Sequence, residues 1–290
     1  MKKVLVIFAA LMAAVLSVKA EEGKKIEFAY DAGFEVVTSY IWRGQYNGGL
    51  SFQPDVEIGF NALDEAIQFR FGTWATLGAS DWKFRKGYPT YIDVDGTEIN
   101  PNTFFVPEID VFANFTAYGA KVGFTHYYFF GGNPYFAGLE QAGSQTEIQA
   151  GYNFGHFFGD KAGAYFNWYT LVAGSDANYD EFDEAHRAWS SYLELGYDYT
   201  FEKIGLTLGA QIGMSPWKSP LYANSKFAVV NLSLKVNKEW EFDAVTLDLF
   251  AQGSLNPDGV NRYNAFVNAA GDEKLCIQRL NGTIGLGVWF

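Results

Sequence analysis

LSFQPDVEIGFN, residues 50–61, alternates without a break. Leu50, Phe52, Pro54, Val56, Ile58 and Phe60 take one parity, and Ser51, Gln53, Asp55, Glu57, Gly59 and Asn61 the other. A period of two places one set on each face of a β-strand. The next stretch, AIQFRFGTWATLG, keeps the period: Ile67, Phe69, Phe71, Ala75 and Leu77 oppose Gln68, Arg70, Gly72 and Thr76. Twelve such segments are expected, near 33–46, 50–61, 66–80, 104–117, 120–131, 144–155, 162–174, 187–201, 204–215, 226–238, 244–255 and 275–290. Most exceed the usual five or six residues of a soluble strand, and they suit a tilted membrane-spanning one. The pattern predicts an all-β fold, an antiparallel transmembrane β-barrel of about twelve strands, an even number as such barrels require.

The N-terminal stretch reads differently. Lys2 and Lys3 precede VLVIFAALMAAVLSV, and Val18 and Ala20 supply an A-x-A-like site, so residues 1–20 are expected to be a cleaved secretory signal peptide. The barrel then occupies 21–290. Without Lys2, Lys3 and Lys19 the chain has 18 basic residues against 33 acidic ones, a formal charge of −15. That balance argues against a nucleic-acid partner. Cys276 is the only cysteine, so no disulfide framework is available.

The connections sort by length. Short turns are expected at Leu63-Asp64, Tyr118-Gly119, Glu202-Lys203 and near Trp240, with GHFFGDK a longer one on the same side. Long extracellular loops fall at 81–103, 132–143, 175–186, 216–225 and 256–274. Such asymmetry is the habit of outer-membrane barrels. Asp95-Gly96 marks a hairpin inside the first of these long loops. Trp42, Trp82, Tyr128, Phe130, Trp168, Tyr199, Phe201, Trp240 and Phe290 fall near strand ends, where two aromatic girdles would sit. A soluble sandwich would also alternate, but it would not usually sustain twelve long strands.

Two resemblances add to this. TIGLGVWF, ending on Phe290, resembles the C-terminal signal by which bacterial outer-membrane barrels are recognised by their insertion machinery, with Leu286, Val288 and Phe290 at the matching places. TSYIWRGQ resembles the Ser-x-Tyr-x-aromatic-Arg-Gly segment of small putative porins called TorF-like. Tyr40, Trp42, Arg43 and Gly44 match, while Thr38 stands where Ser is usual; Gly72–Trp74 and Tyr192–Tyr197 are loosely similar. The resemblance implies a Gram-negative outer-membrane porin and identifies no solute.

The polar parity faces the lumen, because lipid offers charge no partner. It carries Glu35, Arg43, Asp55, Glu57, Arg70, Glu108, Asp110, Lys121, Glu147, Glu194, Asp198, Lys235, Asp248 and Arg279, nine acids and five bases. Counting from the turns sets Glu57 opposite Arg70 as an ion pair, and Arg43 close to Asp55. Arg43, Arg70 and Arg279 are expected on one side of the lumen, with Glu108, Asp110, Glu147 and Glu194 across it, making a transverse field at a constriction.

Enzyme chemistry finds little support. His126 shares its parity with Val122, Phe124, Tyr128 and Phe130 and so faces outward; an interfacial histidine among aromatics is expected, not an acyl-hydrolase base. The run DANYDEFDEAHR starts like a calcium loop at Asp176, Asn178 and Asp180, then fails at Glu181 and Arg187. No cofactor or metal site is expected. The sequence therefore predicts a non-enzymatic outer-membrane channel for passive diffusion of small polar solutes, weakly cation-preferring, with outer-membrane lipid and the insertion machinery as partners. A closed barrel acting through its loops, as an adhesin or structural protein, is the alternative. A lipid hydrolase ranks behind both.

Overall fold

The computed structural model describes residues 26–78, 91–92, 98–99, 108–130, 134–158, 162–222, 224–258 and 280–290. The expected signal peptide, most of loops 81–103 and 256–274, Trp82 and Arg279 lie outside them. In chain order the strands are β1 (Glu27–Val37), β2 (Tyr40–Trp42), β3 (Gln45–Gly48), β4 (Ser51–Ala62), β5 (Ile67–Gly78), β6 (Tyr91–Ile92), β7 (Glu98–Ile99), β8 (Glu108–Ala117), β9 (Ala120–Phe129), β10 (Ser144–Asn153), β11 (Ala162–Gly174), β12 (Ala177–Tyr179), β13 (Ala185–Arg187), β14 (Ser191–Phe201), β15 (Leu206–Ser215), β16 (Ala228–Phe242), β17 (Val245–Leu255) and β18 (Leu280–Trp289).

Twelve of these close into one barrel in the order β1-β18-β17-β16-β15-β14-β11-β10-β9-β8-β5-β4. Every neighbour is antiparallel and consecutive along the wall, so the chain meanders up and down until β18 returns to β1. The closing seam pairs Phe34 with Val288 and Val36 with Leu286, and the Phe290 amide donates to the Ala32 carbonyl at 2.8 Å. Closure leaves no wall strand with an unpaired edge, which is what an apolar solvent demands.

The pleat sorts the residues as the alternation requires. Ile58, Leu234, Leu280 and Ile284 stand exposed on the outer face, Leu234 and Leu280 at 70%. Ser51, Gln53, Thr76, Glu108, Asp110, Glu147, Ser254, Asn281 and Thr283 are buried on the inner one. At the short-turn end the outer face carries Phe28, Tyr30, Tyr199, Phe201, Trp240, Phe242 and Phe290. At the other end it carries Phe130, Tyr135, Phe136, Trp217 and Phe227.

The short turns explain themselves. Tyr118 (φ 48°) and Gly119 (φ 83°) are both left-handed, the two-residue turn whose twist matches flanking strands. Leu63, Asp64 and Glu65 are also left-handed, so that turn is longer than the expected dipeptide. GHFFGDK contains one helical turn, Gly155–Phe158. β16 runs past Trp240 to Phe242, placing its turn after that residue. Tyr91 pairs with Ile99 and Ile92 with Glu98, in line with the ribbon expected around Asp95-Gly96.

One expectation fails at the first strand. It was placed at 33–46; β1 begins at Glu27 and ends at Val37, and residues 40–48 form a separate hairpin, β2 and β3, hydrogen-bonded only to itself as a sheet. Its turn is Arg43-Gly44, with φ 49° and 78°. Tyr40, Trp42 and Tyr46 keep one parity through both strands, and only Val37 and Ile41 interrupt the other, so parity marked the break too weakly to show it. Trp42, expected in a girdle, turns into the barrel with this hairpin. In lipid vesicles, Leu234→Arg, midway along β16 on the outer face, is expected to lower unfolding stability by about 2–4 kcal/mol, measured by urea titration of the refolded protein.

Candidate functional site

The hairpin lies across the long-loop end of the barrel. Its side chains reach strands around almost the whole wall. Tyr40 Oη donates to Glu108 Oε2 at 3.1 Å and its ring lies 5.4 Å from Trp74. Trp42 stacks on Tyr222 (6.3 Å, 12°) and meets Tyr127 edge-on (5.9 Å, 74°). On the opposite side Asn281 Nδ2 donates to the Gly44 carbonyl at 2.9 Å. A side chain at Gly44 would stand 2.7 Å from the Val230 carbonyl, so glycine is needed there for space as well as for its φ.

Arg43 at the tip is the centre of the arrangement. Its Nη1 and Nη2 each donate to a different oxygen of Glu147 at 2.7 Å, a two-pronged fork. Nη1 also donates to Tyr222 Oη at 3.0 Å, and Tyr127 Oη donates to Glu147 Oε1 at 2.9 Å. The guanidinium carbon lies 4.1 Å from the Tyr169 ring centre, 4.5 Å from Trp42 and 4.7 Å from Tyr192. The two charged side chains are 9% and 3% exposed. Desolvation at that depth is costly, and the fork, the hydroxyls and the ring faces together offset it. Around them sits a hydrophobic cluster of Tyr192, Tyr222, Ala228 and Val230, with Trp42, Tyr169 and Leu221 against it. The loop carrying Tyr222 is pinned by Ser219 and Asn224, which exchange backbone hydrogen bonds at 3.0 and 3.1 Å.

The remaining charged residues fall into groups. Near the hairpin, Glu108 and Asp110 lie side by side, their carboxyls within hydrogen-bond reach of each other. Glu194 accepts from Asn167 Nδ2 at 3.2 Å and from Gln211 Nε2. Further along the wall Asp31 stands opposite Glu57 and Gly33 opposite Asp55, with Glu35 next on the same face of β1. Asp31 was missed because the first strand was started too late. Asp198 and Lys235 flank Gly209, and Asp248 and Glu35 flank Gly287. Lys235 Nζ lies 4.3 Å over the Phe250 ring.

Two expected pairings are corrected. Gly59, not Glu57, stands opposite Arg70. Arg70 donates to Asn61 Oδ1 at 2.6 Å and to the Phe60 and Phe69 carbonyls at 3.3 and 3.0 Å. Arg43 meets Glu147, not Asp55. Among the described residues, Arg43 and Arg70 do not form the expected array facing acids at one height either. Arg70 is level with Asn114, six residues along β8 from Glu108, a separation of about 20 Å at strand rise. Arg43, carried inward by its hairpin, spends its charge on Glu147.

Alternation could have found the cage. Tyr127 shares parity with Lys121 on β9, Tyr192 with Glu194 on β14 and Tyr169 with the polar Asn167 on β11; reading every aromatic as girdle or wall hid them. Gly213 lies directly beneath the Tyr192 ring, where a side chain would meet its hydroxyl at 2.1 Å.

The outward histidine is covered. His126 Nδ1 lies 2.9 Å from Thr146 Oγ1 and Nε2 3.0 Å from the Tyr135 carbonyl, with Tyr135 and Phe136 rings at 4.7 and 5.3 Å. Thr146 supplies a hydroxyl that the sequence reading did not anticipate. The other ring nitrogen meets a backbone carbonyl, not the carboxylate of a hydrolytic triad.

The acidic loop folds as a second hairpin, β12 and β13. Asp176, the first residue of the calcium-like run, turns inward: it accepts from the Ser190 hydroxyl at 2.6 Å and amide at 3.1 Å. Asp180 Oδ1 accepts from the Phe182 and Glu184 amides at 2.8 and 3.0 Å, and Oδ2 lies 3.0 Å from His186 Nε2. Asp180, Glu184 and His186 bring ligand atoms within 4.8 Å of one another, all exposed. These bonds hold the Asp180 carboxyl below its ordinary range, the amide of Glu184 contributing most.

No protein-family model matches the chain, and no curated protein matches it. Solved structures similar to it include OmpF of Salmonella typhi in complex with daunomycin, at 10% identity, covering 92% of this chain and 98% of that one with a TM-score of 0.38. An outer membrane channel of Pseudomonas putida F1 matches at 10% identity over 94% and 99%, with a TM-score of 0.41. A triple mutant of Rhodopseudomonas blastica porin matches at 8% over 92% and 99%, with a TM-score of 0.29. Likeness at this level leaves the site's chemistry to this chain's own residues.

Removing one partner of a buried fork strands the other charge. Glu147→Ala is therefore expected to cost about 3–5 kcal/mol, and Arg43→Ala with Glu147→Ala less than the two singles added, in a double-mutant cycle of urea unfolding. For Asp180 the depressed value means that its bonds strengthen the β12–β13 hairpin above the ordinary 3.8 and are lost as pH falls through the lower folded value. The Phe182 and Glu184 amide resonances should titrate with a midpoint below 3.8.

Proposed function

We propose that this chain is an outer-membrane channel through which small hydrophilic solutes diffuse, cations in preference, with the Tyr40–Gly48 hairpin narrowing the mouth on the long-loop side. The observation that carries this reading is a closed antiparallel wall whose outer face is apolar. An apolar exterior with every backbone edge paired suits lipid. Twelve strands enclose more than the eight that their own side chains fill, and fewer than the wide porins have. Asp31, Glu35, Asp55 and Glu57, gathered on neighbouring β1 and β4, would draw cations into the lumen below the hairpin. In this reading Asp198, Lys235 and Asp248 line the lumen with them, as does Arg279, which lies outside the described residues.

The likeness of Tyr40, Trp42, Arg43 and Gly44 to the TorF-like putative porins supports the same reading, since all four residues serve the inward hairpin. Residues 1–20 as a leader, and Leu286, Val288 and Phe290 as an insertion signal, accord with export to a Gram-negative outer membrane. No catalytic step is part of the proposal. The hairpin favours a second reading as well, a barrel held shut that acts through its loops.

Planar-bilayer conductance separates the two. The refolded protein is expected to show small cation-selective steps. Replacing residues 40–48 by a short Gly-Ser linker should raise them several-fold. A folded, heat-modifiable linker variant that passes no current would overturn the channel and favour the closed barrel.

A further inference from the structure

We infer that the pocket around Arg43 is a binding site for guanidinium cations, and that Arg43 is its tethered occupant, exchangeable for a solute bearing the same group. That exchange would open the mouth rests on the channel reading above; the binding itself does not.

The site belongs to the wall rather than to the hairpin. Tyr127 comes from β9, Glu147 from β10, Tyr169 from β11, Tyr192 from β14 and Tyr222 from the following loop; only Trp42 travels with Arg43. The wall residues supply both elements of cation recognition. Tyr169 and Tyr192 present ring faces to the cation. Glu147 presents two oxygens in the plane of a fork, with one held by the Tyr127 hydroxyl. An ammonium cannot fill that fork with two parallel bonds, whereas any guanidinium can.

Withdrawal of Arg43 would leave the Glu147 carboxylate with the Tyr127 hydroxyl but without its counter-charge, in an aromatic pocket. Such a group demands a cation. The hairpin forms a sheet of its own, outside the barrel ladder, and holds the wall through side chains, among them the Arg43 fork, the Trp42 ring on Tyr127 and Tyr222, Tyr40 to Glu108 and Asn281 to the Gly44 carbonyl, so no wall-strand pairing has to break for Arg43 to withdraw. A tethered ligand on a short linker acts at an effective concentration on the order of millimolar, so a free guanidinium would have to reach that range to compete.

Calorimetry of the refolded protein in detergent tests this with agmatine against butylamine, which has the same chain and an ammonium end. Arg43→Ala, with its pocket vacated, is expected to bind one agmatine at least tenfold more tightly than butylamine. Wild type should bind it at least tenfold more weakly than the variant does. Adding Glu147→Gln to Arg43→Ala should remove the binding. Should the Arg43→Ala barrel not refold, Arg43→Lys carries the same comparison, because lysine cannot hold the fork. Agmatine bound no better than butylamine, or bound equally with Glu147→Gln in place, overturns the site. A linker variant that conducts nothing would overturn the channel and leave the binding result intact.

Discussion

The return of β18 to β1 is the constraint on which the rest of this molecule depends. A meander of antiparallel strands has two edges, and each edge would present a row of unpaired amides and carbonyls. Pairing Gly33 through Val37 with Gly285 through Trp289 removes both at once. Closure fixes an inside and an outside for every strand, and from then on each side chain's environment follows from its parity. Apolar residues can crowd the exterior without forming a core, and charged residues that would be liabilities in a packed sheet acquire a shared interior.

That interior poses a second problem, which the chain solves at one end. A ring of acids near the long loops would repel itself if left bare. Arg43 neutralises Glu147, and it does so from a hairpin rather than from the wall, so the counter-charge arrives with a backbone that spans the opening. The ring faces of Tyr169 and Tyr192 lower the cost of burying the guanidinium. The small residue that makes room, Gly213 under Tyr192, is part of the same solution. Charge balance and narrowing of the mouth are thus one structural event.

Further along the wall the opposite choice is made. Asp31 and Glu57 face each other across β1 and β4 with Asp55 and Glu35 beside them, and Arg70 is occupied with Asn61 and two carbonyls near the turn. Like charges opposite one another cost a sheet stability; in the proposed channel, water and mobile counter-ions would share that cost.

The sequence by itself determined the wall. Alternation at 50–61 and 66–80 placed two strands to within two residues, and the inward parity of Glu108, Asp110, Glu147 and Glu194 followed from period alone, because a pleat has only two faces. It also singled out Tyr40, Trp42, Arg43 and Gly44 through a resemblance, without showing what they do. Only the tertiary structure decided that these residues leave the wall. Tyr40, Trp42 and Tyr46 hold one parity through the hairpin as they would along a straight strand, and the two left-handed residues at its tip carry no mark in the period. Which acid Arg43 would meet was beyond reach as well: Glu147 is 104 residues away, and the distance between them is set by barrel closure, a property of all twelve strands and of no single one.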